Sequence, residues 1–467
     1  MPTIPQNAEL LKHLFSLLNI HRSVVKQQRV YERLVALCLG QVMGFARRTI
    51  TQLLFTLGMN ETDWSSWYRL FSAGRFDYER ASEIFFGETL RHVGEDEVYV
   101  VGGDATQTPR SSHKMEGSGW LRNLRTPPFM VGIHAAQRWF NGSWLMPAEN
   151  GYSRALPLRW LPCFTQKSQP QVHEPQSEGQ AAVAFLQWVR EQLDALGRKT
   201  QSVLMVADGS YDTLYLWQYL PERTILFARS AKNRVLFQLP DPTPKRGRPR
   251  KYGERAATPQ QVWQGKKGWK KLEISVRGRV RHLQYKVSAP LLRKQAAHRP
   301  LLLIVVRGKQ RKGYRRQPLP FLVNAVQNEA DEWVLPLPIH TLLFWAWQRW
   351  ELEVCHRELK SNFGLGHPQC WNPIAAVLVV QWQAWLYSLL LLAAYRTWGL
   401  CGAPDVPTRW WRGSQRWSLN TLWRAYRAAL WGQHDFYALC SPTLHDWGKK
   451  EALLPLLRNA VFAAARS

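Results

Sequence analysis

Acidic residues are scarce in this 467-residue chain, with 34 Asp and Glu against 62 Lys and Arg and a formal net charge of +28. Such a balance favours a polyanionic partner. Nucleic acid is preferred over anionic lipid, because the basic residues are spread along the chain and do not cluster beside an amphipathic anchor. Cysteine is equally sparse. Cys38, Cys163, Cys355, Cys370, Cys401 and Cys440 are far apart and form no C-x-x-C pair. That spacing argues against a zinc ribbon, a redox dithiol and a secreted disulfide frame, leaving buried, reduced thiols. The start, "MPTIPQNAELLKHLF", lacks the basic, apolar and small-residue succession of a secretory signal, which points to a cytoplasmic protein. No internal repeat is apparent, and an apolar content of 45% excludes a disordered or collagen-like class. Long apolar runs are absent apart from "PIAAVLVVQWQAWLYSLLLLAAY", Pro373 to Tyr395. Gln381 and Gln383 at its centre are awkward in lipid and ordinary inside protein, so the expectation is a buried core helix and no membrane.

What is present reads as an α/β protein with helical ends. From Glu9 to about Arg91 apolar residues recur at spacings of three and four, the helical period. Within that stretch "ARRTITQLLFTLG" and "NETDWSSWYRLF" form a helix pair around a Gly-containing turn, with Asn60 or Thr62 available as a cap. The pair suits helix-turn-helix DNA binding or plain core packing equally. "VYVVGGDAT" then reads as a buried strand ending in glycines at Gly103. "FMVGIHAAQ" and "LPLRWLPCF" read as further strands, Ser177 to Leu196 as a capped amphipathic helix, "SVLMVADGSYD" as a second buried strand, "TLYLWQYLP" as a helix and "TILFARSA" as a strand. Alternating segments such as "KKLEISVRGRVRHLQYKVSA" have the period of antiparallel strands. The expected division is a helical DNA-binding region (1–93), the first part of an α/β core (94–235), a β-rich insertion opened by a basic linker (236–337), the rest of the core (338–400) and a basic helical tail (401–467).

Two acids follow the buried strands. Asp104 comes after Gly103 and Asp208 after Ala207, so both carboxylates are expected at strand ends along one sheet edge, where α/β active sites gather. A third acid comes from "RWELEVCHRELK", residues 349–360. On a helix Arg349, Glu353, His356 and Lys360 share a face, Trp347, Trp350 and Val354 mark an apolar side, and Glu351 and Glu358 lie elsewhere. An exposed Glu353 between two cations could be a simple ion-pair partner. In company with two aspartates on a basic chain it suits phosphodiester chemistry. There, two Mg²⁺ ions about 4 Å apart relieve charge on the attacked phosphate, and hard, octahedral Mg²⁺ prefers carboxylate oxygens.

"RWELEVCHRELK" resembles the Y-(2)-R-(3)-E-(6)-K signature of bacterial insertion-sequence transposases of the DDE superfamily, with Arg349, Glu353 and Lys360 on its arginine, glutamate and lysine and Ala346 in its tyrosine slot. "VVGGDATQTPRSSHKMEG" and "MVADGSYD" are similar to the blocks carrying the first and second aspartates, and "FGLGHPQ" to the usual continuation. The resemblance spans roughly residues 95 to 400. It implies a ribonuclease H-like core with a β-rich insertion, and Asp104, Asp208 and Glu353 as catalytic ligands of two Mg²⁺ ions, with Mn²⁺ as a substitute. It further implies Arg349 and Lys360 on DNA phosphate, endonuclease cleavage at transposon ends and strand transfer into target DNA. The working form would be a homodimer or larger synaptic complex, nucleoid-associated when bound to DNA. A domesticated DNA-binding relative and a metal-dependent nuclease without strand transfer are the alternatives.

Other features bear on the same partner. Arg246 and Arg248 in "KRGRPRKYG" form an AT-hook-like core or a basic linker, touching DNA either way. Trp263 or Trp269 could stack on a flipped base. His356 is a proton shuttle or a member of the polar helix face near the metals, and Asp212 reads as a helix cap. In the tail Trp417, Leu422, Trp423, Tyr426 and Leu430 follow core spacing, with Arg416, Arg424 and Arg427 between them to contact phosphates.

Overall fold

A computed structural model describes residues 6–123, 130, 132–241, 250–308, 317–404 and 416–432. Five helices come first: α1 (Gln6–Ile20), α2 (Gln28–Met43), α3 (Ile50–Thr56), α4 (Ser65–Ser72) and α5 (Tyr78–Leu90). Thr49 caps α3 through the Gln52 amide and Asp77 caps α5 through the Arg80 amide. Neither Asn60 nor Thr62 caps α4. Thr62 instead donates its hydroxyl to the Met59 carbonyl, and the Asp63 carboxylate accepts from the Ser65 amide.

The middle of the chain is one large mixed sheet. β1 (Tyr99–Pro109), β2 (Gly119–Arg122), β3 (Ile133–Leu145) and β4 (Ala155–Pro162) form an antiparallel meander. Helix α6 (Glu178–Ala195) follows, opened by a capping box of Ser177 and Gln180, then β5 (Val203–Ala207), α7 (Leu214–Tyr219) and β6 (Thr224–Arg229). β5 runs parallel to both β1 and β6, giving the order β4-β3-β1-β5-β6 with β2 on the same edge of β3 as β4. β3 starts later than its sequence pattern suggested and runs on to Leu145, because the segment with Asn141 and Gly142 is held between β1 and β4.

Segment 236–337 continues this sheet. It contains β7 (Phe237–Gln238), α8 (Pro259–Gln264), β8 (Lys270–Val276), β9 (Arg279–Val287), β10 (Leu291–Arg293), β11 (Ala296–Arg307), β12 (Leu319–Asn324) and the small pair β13 (Val326–Gln327) and β14 (Trp333–Val334). β12 pairs antiparallel with β6, β11 with β12, and the β8–β9 hairpin joins the edge of β11. The remaining helices are α9 (Ile339–Gln348), α10 (Trp350–Glu358), α11 (Pro373–Trp398) and α12 (Leu419–Gly432).

Helix α11 is long and apolar enough to cross a membrane, and it is buried inside the protein. It packs against α1, α4, α5 and β4. Its central amides are satisfied: Gln381 donates to the Trp160 carbonyl and Gln383 to the Gly364 carbonyl. Trp417, just before α12, and Leu422, Trp423, Tyr426 and Leu430 on it are all buried. Arg427 is not offered to phosphate, for its guanidinium donates to the carbonyls of Val42 and Gly44 and so caps the end of α2. Among the described cysteines all are free; Cys38, Cys163 and Cys355 are buried, whereas Cys370 and Cys401 are half-buried.

His21 is fully buried after α1, its Nδ1 2.8 Å from the Leu17 carbonyl and its ring edge-on to Trp385. Burial pushes its pKa down to about 4 from 6.5. The unfolded chain therefore binds this proton more readily, so the stability is present above the ordinary value and is lost as pH falls from 6.5 toward 4. The loss should be on the order of 3 kcal/mol. Denaturant titrations across that window should show it, and His21→Phe, which keeps the ring contact, should flatten the dependence.

Candidate active site

The register of the sheet brings the two aspartates together. Gly103 of β1 lies opposite Ala207, the last residue of β5, so Asp104 and Asp208 come next on adjacent parallel strands. Asp208 does follow a strand end, and its carboxylate accepts from the Ser210 amide at 2.8 Å. Asp104 does not. β1 continues to Pro109 because its other edge stays paired with β3, Asp104 opposite Asn141. The glycine pair that looked like a strand terminus serves close packing instead. A Cβ on Gly102 would stand 2.9 Å from Leu352 of α10, and one on Gly103 would collide with Met205 and Phe140. Without side chains at those two positions, α10 lies directly on β1 beside Asp104.

Helices α9 and α10 meet at Arg349, which keeps helical dihedrals. Its guanidinium holds Glu353 at 2.7 Å and approaches Asp104 Oδ2 at 3.9 Å, linking the acid on the helix to the acid on the strand. The other two glutamates of the helix have different work. Glu351 is buried and paired at 2.7 Å with Arg277 from the tip of the β8–β9 hairpin. Glu358 is buried, paired with Arg154 at 2.6 Å, and accepts from the Tyr387 hydroxyl at 2.7 Å. Helix α10 thus turns Glu351, Leu352, Cys355, His356 and Glu358 inward, while Trp350 is 48% exposed. This reverses the apolar side expected from Trp347, Trp350 and Val354. The buried face of α10 carries two ion-paired glutamates alongside Leu352 and Cys355.

The Asp104 carboxyl is pushed up to about 7, first by burial and then by Asp208; Arg349 and the Ala105 amide oppose the shift and Glu353 adds to it. A half-buried acid facing two further acids has a strong demand for positive charge. His356 stands 3.9 Å from Asp104 Oδ2 through Nδ1 and 3.1 Å from the Asn141 amide nitrogen through Nε2. It is buried, not part of a polar surface face, and its pKa is driven down to about 3 by burial, Lys360 and Arg349. A neutral imidazole at physiological pH is the consequence. Lys360 lies in the π-helical turn Leu359–Phe363 that ends α10.

Among the described residues, no three acidic, His or Cys side chains converge as placed into a metal-holding group. The donor set nevertheless suits a hard divalent cation, since Asp104 and Asp208 are neighbours on adjacent strands where β5 ends, Arg349 lies between Glu353 and Asp104, and burial of Asp104 among carboxylates favours a compensating cation.

Several other sequence-derived residues lie elsewhere. Arg246 and Arg248 fall outside the described residues. The N-cap of α7 is Thr213, while Asp212 closes the short 3-10 helix Gly209–Tyr211. Its buried carboxylate is clamped by Arg234 at 2.6 Å and Arg293 at 2.7 Å, and it also accepts from Ser230 and Trp217. Trp269 donates to the Gly265 carbonyl and is flanked by Arg307 and Lys286, with ring-centroid distances of 3.9 and 4.6 Å; Trp263 is partly buried against the core. Sequence reasoning missed Asn141, although a lone amide in the buried run "RWFNGSW" is a signal that a polar partner awaits it.

Carboxylates gathered beside the carboxyl end of β5, on a strongly basic chain, suit phosphodiester chemistry. Residues 18–286 match the family described as DDE superfamily endonuclease, and the protein belongs to that family. The matched span is more than half of the chain and includes Asp104 and Asp208; Glu353 lies beyond it. No curated protein matches the chain. Membership carries with it a nuclease-type, transposase-like action on DNA, and enzymes of this superfamily generally use divalent metals.

The Arg154–Glu358 pair, which seats α10, gives a direct test of this packing. Arg154→Leu leaves a buried carboxylate unpaired and should cost about 3–5 kcal/mol, whereas Arg154→Leu combined with Glu358→Leu should recover most of that loss, both read by urea denaturation.

Proposed function

We propose that the protein is a DNA transposase of the Y-(2)-R-(3)-E-(6)-K signature group, built on a ribonuclease H-like core. The strand order β4-β3-β1-β5-β6, with β1, β5 and β6 parallel and the meander antiparallel, supports that core. The observation that supports the reading is the placement of acids from distant segments around one guanidinium: Asp104 beside Asp208 across the β1–β5 pairing, and Arg349 holding Glu353 at 2.7 Å while approaching Asp104 at 3.9 Å.

In this reading Asp104, Asp208 and Glu353 hold two Mg²⁺ ions, for which Mn²⁺ substitutes. When bound, the ions supply Lewis-acid relief of the charge that builds on the attacked phosphate and on the leaving oxygen. The chain's own residues orient the strand. Arg349 offers a planar fork to a phosphate once its carboxylates are otherwise engaged, and Lys360 offers a point charge one helical stretch further on. A water molecule attacks the phosphodiester at the element end, its oxygen forming the new P–O bond while the 3′ oxygen leaves as a hydroxyl. That hydroxyl then attacks a target phosphodiester and displaces the target's own 3′ oxygen. The net charge of +28 suits two long DNA partners, and holding two ends at once calls for a dimer or larger assembly.

Incubation of the protein with Mg²⁺, its own terminal inverted repeats and a target duplex tests the reading. Joined products are expected. Cut but unjoined DNA would indicate a nuclease, and binding without cleavage a DNA-binding relative. Asp104→Asn, Asp208→Asn and Glu353→Gln should each lower cleavage by on the order of 10²–10³-fold or more while leaving end binding in mobility shifts nearly unchanged. Parental cleavage by the Glu353 variant would remove that residue from the site.

A further inference from the structure

We propose that Asn141 and His356 form a positioning relay that aims an imidazole N–H at Asp104, fixing which way this carboxylate presents its second oxygen. Asn141 sits directly opposite Asp104 in the β1–β3 register, and it is fully buried. Its amide nitrogen lies 3.1 Å from His356 Nε2. An amide nitrogen can only donate, so Nε2 must present its lone pair, and the proton of the neutral ring resides on Nδ1. In that orientation the amide oxygen accepts from the Ser143 hydroxyl at 2.9 Å. The Trp160 indole stands edge-on to the imidazole at 5.7 Å and limits its rotation.

Nδ1 then faces Asp104 Oδ2 at 3.9 Å, too long for a hydrogen bond and about 1 Å from one. The other oxygen, Oδ1, is already fastened to the Ala105 amide at 2.8 Å. Asp104 therefore has one oxygen fixed by its own strand and one facing a donor whose tautomer is set from β3. A neutral donor orients the carboxylate without cancelling the charge that a cation would need, which a lysine or arginine in the same place would do. The inference rests on the reading of Asp104 as a metal ligand, and Asn141 and His356 act through it as positioning residues.

The test uses the full chain labelled with ¹⁵N in histidine and free of divalent metal. Long-range ¹H–¹⁵N correlation reports the tautomer, and the His356 signal is identified by its loss in His356→Gln. The parent should show the Nδ1–H form. Asn141→Asp replaces the donor by a carboxylate acceptor, so the proton should move to Nε2 and Mg²⁺ affinity, measured by titration calorimetry, should fall roughly 10- to 100-fold. Should that variant fold poorly, Ser143→Ala releases the amide oxygen and should give a mixture of tautomers with a smaller loss of affinity. An Nε2–H or doubly protonated ring in the parent overturns the relay, as does parental Mg²⁺ affinity in Asn141→Asp with the tautomer switched. Failure of the metal-ligand reading of Asp104 would look different, since the parent itself would then bind no Mg²⁺, whatever its tautomer.

Discussion

The parallel pairing of β1 with β5 is the constraint on which the site depends. Five backbone pairings from Tyr99↔Val203 to Gly103↔Ala207 set Asp104 and Asp208 side by side without any direct bond between them. Because a register slip of one residue turns every side chain to the opposite face, the apolar partners Val101, Met205 and Leu226, all buried, hold the aspartates in place as firmly as any local contact. Burying one carboxylate beside another is unfavourable, and the sheet supplies the stability that lets it persist.

Helix α10 meets this edge through charge. Its inward face carries two acids, each matched by an arginine from a different part of the chain: Arg277 from the β8–β9 hairpin and Arg154 from the segment before β4. Paired in this way they add orientation more than stability, because desolvation offsets much of the attraction. A helix with one apolar stripe could rotate by several degrees at small cost. One pinned at Glu351 and Glu358 cannot, and Glu353 between them is left to pair with Arg349, which in turn approaches Asp104.

How much of this was legible varies by element. Buried strands β5 and β6 and the capped helix α6 could be read directly, since continuous β-branched runs and a Ser–Gln capping box have local causes. The end of β1 could not, because glycine is ambiguous: at Gly102 it makes room for Leu352 from a residue 250 positions away in sequence. The buried face of α10 was misread for a related reason, for hydrophobic periodicity assigns Glu351 and Glu358 to solvent and has no means of anticipating Arg277 and Arg154. Asp212 followed the same pattern; its two arginines, Arg234 and Arg293, come from later segments. The spacing of Arg349 and Glu353 was readable because it is a single-turn helical relation, whereas the approach of Arg349 to Asp104 is tertiary.

The hydrogen bonding of β12 to β6 has a mechanical consequence. Segment 236–337 is sewn into the main sheet and does not hang from it, so removing it would leave β6 with an unpaired edge, open to another chain. Its strands cannot swing as an independent lobe without breaking backbone hydrogen bonds, and a load applied at the β8–β9 hairpin passes along β11 and β12 into the strands that carry the acids. The two parts of the protein therefore constitute one elastic body, in which a pull on the outer ribbon is felt at the carboxylates.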